Sequence, residues 1–346
     1  MKVLFVSPEA GNQKVGLSYV IAQGPNTAGE IIAAAKLAEE CGFHSVFVPE
    51  HYYDREAPSL LGAIARSTSQ IKIGTGVINP YTRYPSLVAM TVATLDELSG
   101  GRAMLGLGSG GVIGSLEHGI PNEFAGQKFS HPLGHIREMI QIVRRLLSGE
   151  AVTYRGEFYT LENVKLHFRP PQERIAIYLG QQGPKMMDLA GELCDGVLIT
   201  LCCTVPYVKD VIQRIEKSES SHGREKGSVD FSARVIVSMD ADRSKAIRNS
   251  KQLVGRVFIH PGAKPVMEAS RFDLPIGKMK QAIDEGRGEL LNELVPDEIV
   301  EMTTASGTRS DVLRKVEDFR AAGVTHPLVV PIGKNSAEII RAFSLT

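Results

Sequence analysis

Residues 71–111 read IKIGTGVINPYTRYPSLVAMTVATLDELSGGRAMLGLGSGG, and this stretch decides the fold of the chain. Two strand-like segments, residues 71–78 and 102–107, enclose a helix-like segment, residues 86–98, that two glycines end. Both strand-like segments run into tips rich in glycine or amide side chains. Ligands of parallel β/α proteins bind where the strands reach their carboxyl ends. The stretch therefore predicts a parallel β/α fold and indicates which side of it holds the functional site.

Composition and charge bound the functional classes. The chain has 346 residues, of which 43% are hydrophobic, so it can bury a large core. Lys+Arg and Asp+Glu both number 39, whereas proteins that bind nucleic acid or a membrane surface usually carry a basic excess. The N-terminal residues lack the apolar run of a signal peptide. We therefore expect a cytoplasmic protein with no nucleic-acid partner and no membrane partner.

The cysteines do not indicate a metal site. Cys41, Cys194, Cys202 and Cys203 have no metal-type spacing, and two of them are adjacent, which suits neither a zinc knuckle nor an ordinary disulfide. We expect buried thiols in a reducing compartment.

Strand and helix patterns alternate along the whole chain. Alternation without a block of contiguous strands favours a parallel sheet, and eight strand–helix units favour its closure into a (β/α)8 TIM barrel. The predicted strands are residues 2–6, 45–48, 71–78, 102–107, 175–179, 196–200, 233–239 and 328–331. A loop is predicted from Pro8 to about Asn26, and Thr27 is predicted to cap the first helix.

Three segments exceed a minimal barrel, and we interpret them as insertions into a single domain spanning residues 1–346. They lie near residues 112–131, 150–168 and 255–307. The second of them alternates polar and apolar residues around Arg155 and Gly156, which predicts a hairpin. The preceding helix, residues 135–147, carries charged residues, Glu138 and Arg144 among them, that we expect on a solvated face.

His51 follows the second predicted strand, with Glu50 before it and two tyrosines after it. A lone histidine is often structural, but at a strand's carboxyl end it can donate a hydrogen bond to a cofactor ring or move a proton near neutral pH. We therefore take His51 as the candidate catalytic residue.

Glycines mark the ends of three further strands. Glycine inside the third strand, at Gly74 and Gly76, indicates a bulge, a close approach of backbone to a ligand, or an ordinary barrel-corner kink. The fourth strand ends in Gly108, Ser109 and Gly110, whose amides can cradle an anion or leave room for a flat ring. Because no helix follows at once, this glycine run is not a dinucleotide-binding fingerprint.

The fifth strand ends in Gly180, Gln181, Gln182 and Gly183 and leads through Pro184 into a helix. Proline suits a first helical turn, and the free amides there, with Lys185 nearby, would suit a phosphate. An ordinary tight turn explains the same residues. Motifs for zinc proteases, serine hydrolases and P-loop enzymes do not occur in the sequence.

The chain resembles the luciferase-like superfamily of flavin- and coenzyme F420-dependent oxidoreductases, and it is most similar to methylene-tetrahydromethanopterin reductases. The resemblance rests on AAAKLAEECGFHSVFVPEHY, on the opening stretch, on REMIQIVRRLLSGEAVTYRGEFY, on IYLGQQGPKMMDLAGELCDGVLIT and on GVTHPLVVPIGKNSAEII. These segments occur in the family's order over most of the chain.

The resemblance implies a barrel with the cofactor ring at its C-terminal mouth. It implies a non-proline cis peptide at Gly76–Val77 behind the ring, with Asn79 as a nearby polar contact, and a histidine, His51, facing the ring. It also implies that the glycines at 108–110 and the turn at 180–183 hold the cofactor's side chain and phosphate.

Two departures from the reductases concern the substrate. Those relatives tend to carry a carboxylate on the first strand, where the segment assigned here has Val6, Ser7 and Pro8 before Glu9. They also tend to have an acid after the fourth-strand glycines, where this chain has Gly111 and Val112. The long first loop is a candidate for a different substrate pocket.

The leading hypothesis is an oxidoreductase that transfers hydride through a flavin-type cofactor, coenzyme F420 first, to or from a small organic substrate. The alternative is an FMN-dependent monooxygenase that uses reduced flavin and oxygen. A non-catalytic flavin-binding partner subunit is the second alternative. The apolar surfaces of residues 58–68 and 86–98 predict pairing of barrels into a homodimer or a higher homo-oligomer.

Overall fold

The computed structural model describes residues 14–18, 27–50, 55–108, 131–181 and 183–344. Its strands are β1 (Gly16–Ser18), β2 (Ser45–Val48), β3 (Lys72–Thr75), β4 (Ala103–Gly108), β5 (Val152–Arg155), β6 (Thr160–Val164), β7 (Ala176–Gln181), β8 (Gly196–Ile199), β9 (Asp230–Met239), β10 (Ala305–Gly307) and β11 (Leu328–Pro331).

The α-helices of this part of the chain are α1 (Ala28–Glu40), α2 (Ala57–Ser67), α3 (Pro85–Ser99), α4 (Pro132–Leu147), α5 (Pro184–Leu193), α6 (Val205–Ser221), α7 (Arg243–Ile259), α8 (Lys264–Ser270), α9 (Ile276–Asp284), α10 (Leu291–Leu294), α11 (Asp297–Thr303), α12 (Arg309–Ala321) and α13 (Ser336–Ala342). None of them combines the length and apolarity that a bilayer span requires.

Eight parallel strands close into a barrel. Neighbours follow the order β9, β11, β1, β2, β3, β4, β7, β8, and β8 pairs back to β9. Helices follow the strands on the outside of the barrel. β10 pairs with the last residues of β9 and lies outside this ring. The predicted (β/α)8 barrel is confirmed.

The first strand lies elsewhere than predicted. Residues 2–6 lie outside the described residues, and the position between β2 and β11 is taken by β1, inside the segment predicted to be a loop. Gly16 shows why this segment fits. A Cβ at Gly16 would lie 2.3 Å from Leu328 Cδ2 and 2.5 Å from Ser45 Oγ, so the crowded barrel interior admits only a glycine there. The other seven predicted strands are confirmed with small changes at their ends.

Local sequence explains where the helices begin and end. Thr27 Oγ1 accepts a hydrogen bond from Glu30 N, and Glu30 Oε2 accepts one from Thr27 N, which forms a capping box at the predicted start of α1. Gly100 ends α3 with a φ of 69°, a left-handed conformation that glycine adopts without cost. These helices therefore start and stop through contacts within a few residues.

The apolar core has two layers. Inside the barrel lies a cluster of large side chains, and a more extensive layer packs between the strands and the helices. The interior cluster consists of Phe47, Met104, Tyr178, Leu198 and Leu328.

The amino end of the barrel is filled by a polar network around Asp230. Its Oδ2 accepts a hydrogen bond from Tyr178 Oη at 2.8 Å and lies 3.2 Å from His326 Nδ1, and its Oδ1 accepts one from Thr325 Oγ1 at 2.7 Å. Burial alone would raise the pKa of the Asp230 carboxyl. The hydrogen bonds from His326 and Thr325, with Lys14 nearby, instead hold it below its usual range. The network is thus satisfied by groups of the barrel itself.

Two histidines complete this end. His326 is fully buried, with Ser45 Oγ 2.9 Å from its Nε2 and Ser232 Oγ 3.2 Å from its Nδ1. The His44 ring meets the His326 ring edge-on at 5.2 Å between centroids. Burial, followed by the neighbouring His326, lowers the pKa of His44 to about 4, so its ring is neutral at pH 7.

Two of the predicted insertions fall on described residues. β5 and β6 pair antiparallel, so the predicted hairpin is confirmed. Between β9 and β10 the chain forms helices α7 to α11. The insertion predicted at 112–131 lies outside the described residues except for its last position.

Candidate active site at the carboxyl ends of the barrel strands

The peptide between Gly76 and Val77 is cis, as the family resemblance implies. Gly76 N donates to Val48 O at 2.8 Å on β2, and Ile78 N donates to Gly106 O at 3.0 Å on β4. The chain leaving β3 is therefore tied to the strands on both of its sides.

Thr75 supplements these backbone bonds with its side chain. Its Oγ1 donates to Gly106 O at 2.8 Å and accepts from Gly106 N at 2.9 Å, so one hydroxyl serves both polar groups of a residue on β4. A Cβ at Gly106 would lie 1.9 Å from Thr75 O, so the two strands approach too closely for any side chain there. Close packing between β3 and β4 therefore explains the glycine at position 106.

The Val77 side chain lies between two strand-end glycines. A Cβ at Gly108 would lie 2.7 Å from Val77 Cγ2, and a Cβ at Gly180 would lie 3.0 Å from Val77 Cγ1. The ends of β4 and β7 therefore need glycine to accommodate a side chain from the cis peptide. The structure brings together four predicted site residues: Gly76, Val77, Gly108 and Gly180.

Asn79 holds the turn that follows. Its Oδ1 accepts hydrogen bonds from Tyr81 N at 2.9 Å and from Thr82 N at 3.2 Å, and the residue is 9% exposed. This is the local side-chain turn that asparagine favours. Its predicted contact with a cofactor stays a prediction.

The glycine turn after β7 leads into α5 as predicted. Gly183 precedes Pro184 at the first position of the helix, and the amides of Met186 and Met187 donate to Gly183 O. Among the described residues, no atom lies within 4 Å of a Cβ built at Gly183. The described residues therefore leave the start of this helix uncrowded.

Four predicted site residues, His51, Ser109, Gly110 and Gln182, lie outside the described residues, and Gln181 is described only through its backbone. Their predicted roles stay predictions.

An ion-pair cluster joins the ends of β2 and β3. Arg83 Nε and one terminal nitrogen donate to the two Glu50 oxygens at 3.1 and 2.9 Å, and the same nitrogen donates to Glu56 Oε1 at 2.6 Å. Burial alone would lower the pKa of the Arg83 guanidinium, but the two carboxylates raise it above its ordinary value. This cluster fixes the residue directly before His51. The sequence analysis did not single out Arg83, because its partners lie about 30 residues away along the chain.

The hairpin packs an aromatic group against the turn after β3. Tyr159 Oη donates to Pro80 O at 2.9 Å, and the His135 and Tyr81 rings meet at 5.1 Å between centroids. Burial lowers the pKa of His135. A wall of aromatic and imidazole rings therefore stands beside the carboxyl ends of the strands.

Glu138 anchors the same hairpin, and our expectation of a solvated helix face is wrong at this residue. It is 9% exposed, and its carboxylate accepts hydrogen bonds from the amides of Glu157, Phe158 and Tyr159. Gly156 lets the turn approach, because a Cβ there would lie 2.1 Å from Glu138 Oε2. Arg144, on the same helix, is likewise paired, with Asp195.

The described residues at these strand ends offer backbone, hydroxyl, amide and ring groups, together with the ion-pair cluster of Arg83, Glu50 and Glu56. No cluster of histidine, cysteine or carboxylate side chains in the described ranges could hold a metal ion. The four cysteines, Cys41, Cys194, Cys202 and Cys203, are buried free thiols.

Comparisons with known proteins agree with this arrangement. The sequence model of the luciferase-like monooxygenase family matches residues 3–326. The chain is 35% identical over 321 residues to the 5,10-methylenetetrahydromethanopterin reductase of Archaeoglobus fulgidus, a match that covers 88% of this chain and 91% of the relative. It is 27% identical to the F420-dependent glucose-6-phosphate dehydrogenase of Kineococcus radiotolerans, over 96% of both chains.

A solved structure matches at the level of the whole fold. The coenzyme F420-dependent tetrahydromethanopterin reductase from Methanopyrus kandleri superimposes with a TM-score of 0.85 and 28% identity. The match covers 96% of this chain and 98% of that one.

Proposed function

The chain belongs to the luciferase-like monooxygenase family, and from that membership we propose that it is a coenzyme F420-dependent oxidoreductase. It transfers hydride between this cofactor and a small organic substrate. The observation that carries the proposal is the whole-chain likeness to an F420-dependent reductase. Proteins named for F420 include both a reductase and a dehydrogenase, so we expect the substrate to decide the direction of transfer.

The described residues fit such a cofactor. The deazaflavin supplies hydride transfer at its central ring when it is bound. We propose that Gly76, Val77 and Asn79 line one face of that ring's site, and that Gly108, Ser109 and Gly110 form its floor. The turn of Gly180, Gln181, Gln182 and Gly183 holds the anionic side chain, since first-turn amides of a helix attract a phosphate.

His51 is the proposed catalytic residue. Its neighbour Glu50 is fixed by Arg83, so the strand end that presents the imidazole is held in place. A neutral histidine there would donate a hydrogen bond to the ring system or carry a proton to or from the substrate near pH 7.

The primary test is titration of the purified protein with F420 and with FMN, followed by absorbance and fluorescence. We expect micromolar binding of F420 and weaker binding of FMN. Tight FMN binding with oxygen-dependent turnover would instead support the monooxygenase alternative. Cofactor binding without turnover of any reduced cofactor across a substrate panel would support a partner subunit, and binding of neither cofactor would refute the assignment.

A matched pair of glycine substitutions tests the cofactor's position. Among the described residues, no atom lies within 4 Å of a Cβ built at Gly183 or at Gly277, so Ala at either position leaves the packing intact. Gly277 lies in α9, in the helical segment after β9. We expect Gly183→Ala to weaken F420 binding by roughly tenfold, while Gly277→Ala leaves it unchanged. Equal affinities for both variants would place the phosphate elsewhere.

Methylenetetrahydromethanopterin is the first substrate to test, because relatives at 35% identity are named as its reductases. One departure persists after the correction of the first strand. From Lys14 through β1 to the start of α1, the first carboxylate is Glu30, which caps that helix. F420 binding without turnover of this substrate would indicate that the missing acid has changed the substrate.

We also propose a homodimer or a higher homo-oligomer built on α3. Leu87, Met90 and Leu98 lie along one side of that helix and are 44%, 50% and 39% exposed. Exposed apolar side chains that share a face can mark an association surface. Light scattering should show a dimer that Met90→Glu dissociates, whereas a monomeric parent protein would refute the proposal.

The remaining proposals concern organisation and location. We propose one domain over residues 1–346, with the segments near 112–131, 150–168 and 255–307 inserted in loops, which the family match over residues 3–326 supports. We propose a cytoplasmic location, which the buried free thiols support.

A further inference from the structure

Arg234 lies in the middle of β9, and its side chain points into the barrel. Alternate residues of a strand face the same side. Two residues earlier Ser232 contacts His326, and four residues earlier Asp230 contacts Tyr178, both inside the barrel. Arg234 also pairs in register with Leu328, a member of the interior cluster. It therefore lies one step beyond the polar network, toward the carboxyl ends of the strands.

No acceptor of the described chain meets this guanidinium. Its Nε is buried without a hydrogen-bond partner, and no ion pair to Arg234 occurs among the described residues. The ionisable groups that act on it are the thiols of Cys202 and Cys203, which follow the carboxyl end of β8. Burial raises the pKa of Cys203 to about 12 and raises that of Cys202 as well, so both are neutral at pH 7. The arginine charge thus has no counter-charge from its neighbours.

Two other partly buried arginines of the protein have acceptors for their guanidinium groups. Arg102 donates to the carbonyl oxygens of Ser99, Ile71 and Ala65, and Arg83 pairs with two carboxylates. The nearest carboxylate on the strand of Arg234 is Asp230, whose two oxygens already accept hydrogen bonds from Tyr178 and Thr325. Arg234 as a whole is half-buried, and a charge partly removed from water without a partner is costly, so we expect a group from outside the described chain to compensate it.

A second hydrogen-bond donor in the barrel interior also lacks an acceptor in the described chain. Ser18 ends β1, is fully buried, and its Oγ has no hydrogen-bond partner within the described part of the chain. It pairs in register with Phe47, whose ring belongs to the interior cluster, so its hydroxyl faces the interior. Ser18 and Arg234 lie on strands that flank β11, both on the carboxyl side of the polar network.

We propose that Arg234, supported by the Ser18 hydroxyl, binds an oxyanion of a ligand that enters the barrel from the carboxyl ends of the strands. A guanidinium matches the geometry of a carboxylate or a phosphate with two parallel hydrogen bonds. The ligand is either an acidic substrate or the cofactor, and in the second case the phosphate of its side chain lies at Arg234 and not at the turn of residues 180–183. The inference depends on the barrel interior and not on the proposed function.

The first experiment measures thermal stability without any cofactor. Arg234→Met removes an uncompensated charge, so we expect its melting temperature to equal or exceed that of the parent. Arg320→Met is the control, because Arg320 donates to Lys14 O and pairs with Glu317 and should lose stability when replaced. Inorganic phosphate, compared with chloride at equal ionic strength, should raise the melting temperature of the parent, of Arg234→Lys and of Arg320→Met, but not of Arg234→Met.

Two outcomes would overturn the proposal. A melting temperature of Arg234→Met several degrees below the parent's would mean that the arginine is paired within the chain. An equal phosphate effect on the parent and on Arg234→Met would mean that the anion binds elsewhere. Both outcomes are independent of whether the protein uses F420.

A second experiment identifies the source of the oxyanion by titrating F420 and its chromophore lacking the phosphate-bearing side chain. If the cofactor supplies it, Arg234→Met weakens F420 binding roughly ten- to a hundredfold and leaves the truncated chromophore unaffected. If the substrate supplies it, both affinities are unchanged, and acidic compounds, but not neutral analogues, compete with phosphate in the parent. Absence of both patterns contradicts the proposal.

Discussion

Buried polar groups have hydrogen-bond partners at the amino end of the barrel, whereas some of those nearer the carboxyl end have none in the described chain. At the amino end, Asp230 collects hydrogen bonds from Tyr178 and Thr325 and contacts His326, so the buried charge is matched within the protein. On the carboxyl side of this network, Ser18 and Arg234 face the interior with donors that lack an acceptor, and β4 ends at Gly108. The amino end therefore contributes to the stability of the barrel, and we expect the ligand at the carboxyl end.

Single-residue variants at the two ends test this contrast. Substitutions at the amino end should change the free energy of unfolding and leave ligand binding intact, whereas substitutions at the carboxyl end should change binding as well.

Asp230→Ala should have the largest effect. It leaves Tyr178, Thr325 and His326 without their acceptor, and breaking a buried charged network typically costs about 3–5 kcal/mol of unfolding free energy. Chemical denaturation measures the loss, with the exposed Asp284→Ala as control. A loss no greater than that of the control would show that the amino-end network does not stabilise the barrel.

Gly108→Ala should cost about 2 kcal/mol, because overpacking of a tight site typically costs this much. The new Cβ would meet Val77 Cγ2 at 2.7 Å, so Val77→Ala in the same chain should recover most of the stability. F420 binding should remain weakened in the double variant, since the wall formed by Val77 is altered. Additive losses in the double-mutant cycle would contradict this packing between β4 and the cis peptide.

Acidification should destabilise the amino end through His44. Its folded pKa of about 4 lies below the ordinary value of 6.5, so the unfolded chain binds a proton that the folded chain does not. Stability should therefore fall as the pH drops from about 6.5 to 4, by roughly 1–2 kcal/mol after allowance for its partial exposure.

The measurement is urea denaturation across this pH range, with His44→Gln as the comparison. The charged and titratable groups near this ring are His326, Lys72, Lys14 and Asp230. A pH dependence in His44→Gln as steep as in the parent would assign the effect to another of these groups, His326 first, whose pKa burial also lowers.

Thr325→Val should have the smallest effect, a loss of about 1 kcal/mol of unfolding free energy. It removes the hydrogen bonds of one hydroxyl and keeps the side-chain volume. Thr325 Oγ1 donates to Asp230 Oδ1 and accepts from Phe231 N. Losing the donor should raise the pKa of Asp230, whose depressed value keeps stability until the pH falls through it. Acid unfolding should thus begin at a higher pH than in the parent, and an unchanged acid transition would exclude Thr325 from the network.

Contacts between near neighbours were predictable from the sequence. The bounds of β2 and β11, the capping box at Thr27 and the hairpin around Gly156 agree with their local patterns. The cis peptide at Gly76–Val77 was implied by the family resemblance and is confirmed.

Contacts between distant residues were not predictable. The local pattern placed the first strand at residues 2–6 and a loop over the segment of β1, and only the pairing with β2 and β11 identifies β1 as the barrel strand. Glu138 looked like a surface charge because its three amide partners lie about 20 residues further on. Arg83 was missed for the same reason.

The alternation of strands and helices, the family and the glycine-rich strand ends follow from the sequence alone, because propensity, capping and hydrophobic period act over a few residues. The neighbours of each glycine depend on the tertiary structure. So does the question of which buried polar groups have a hydrogen-bond partner. Closing a barrel brings residues as far apart as Gly16 and Leu328 into contact, and hydrogen bonding and packing at such contacts depend on distances that no local pattern encodes.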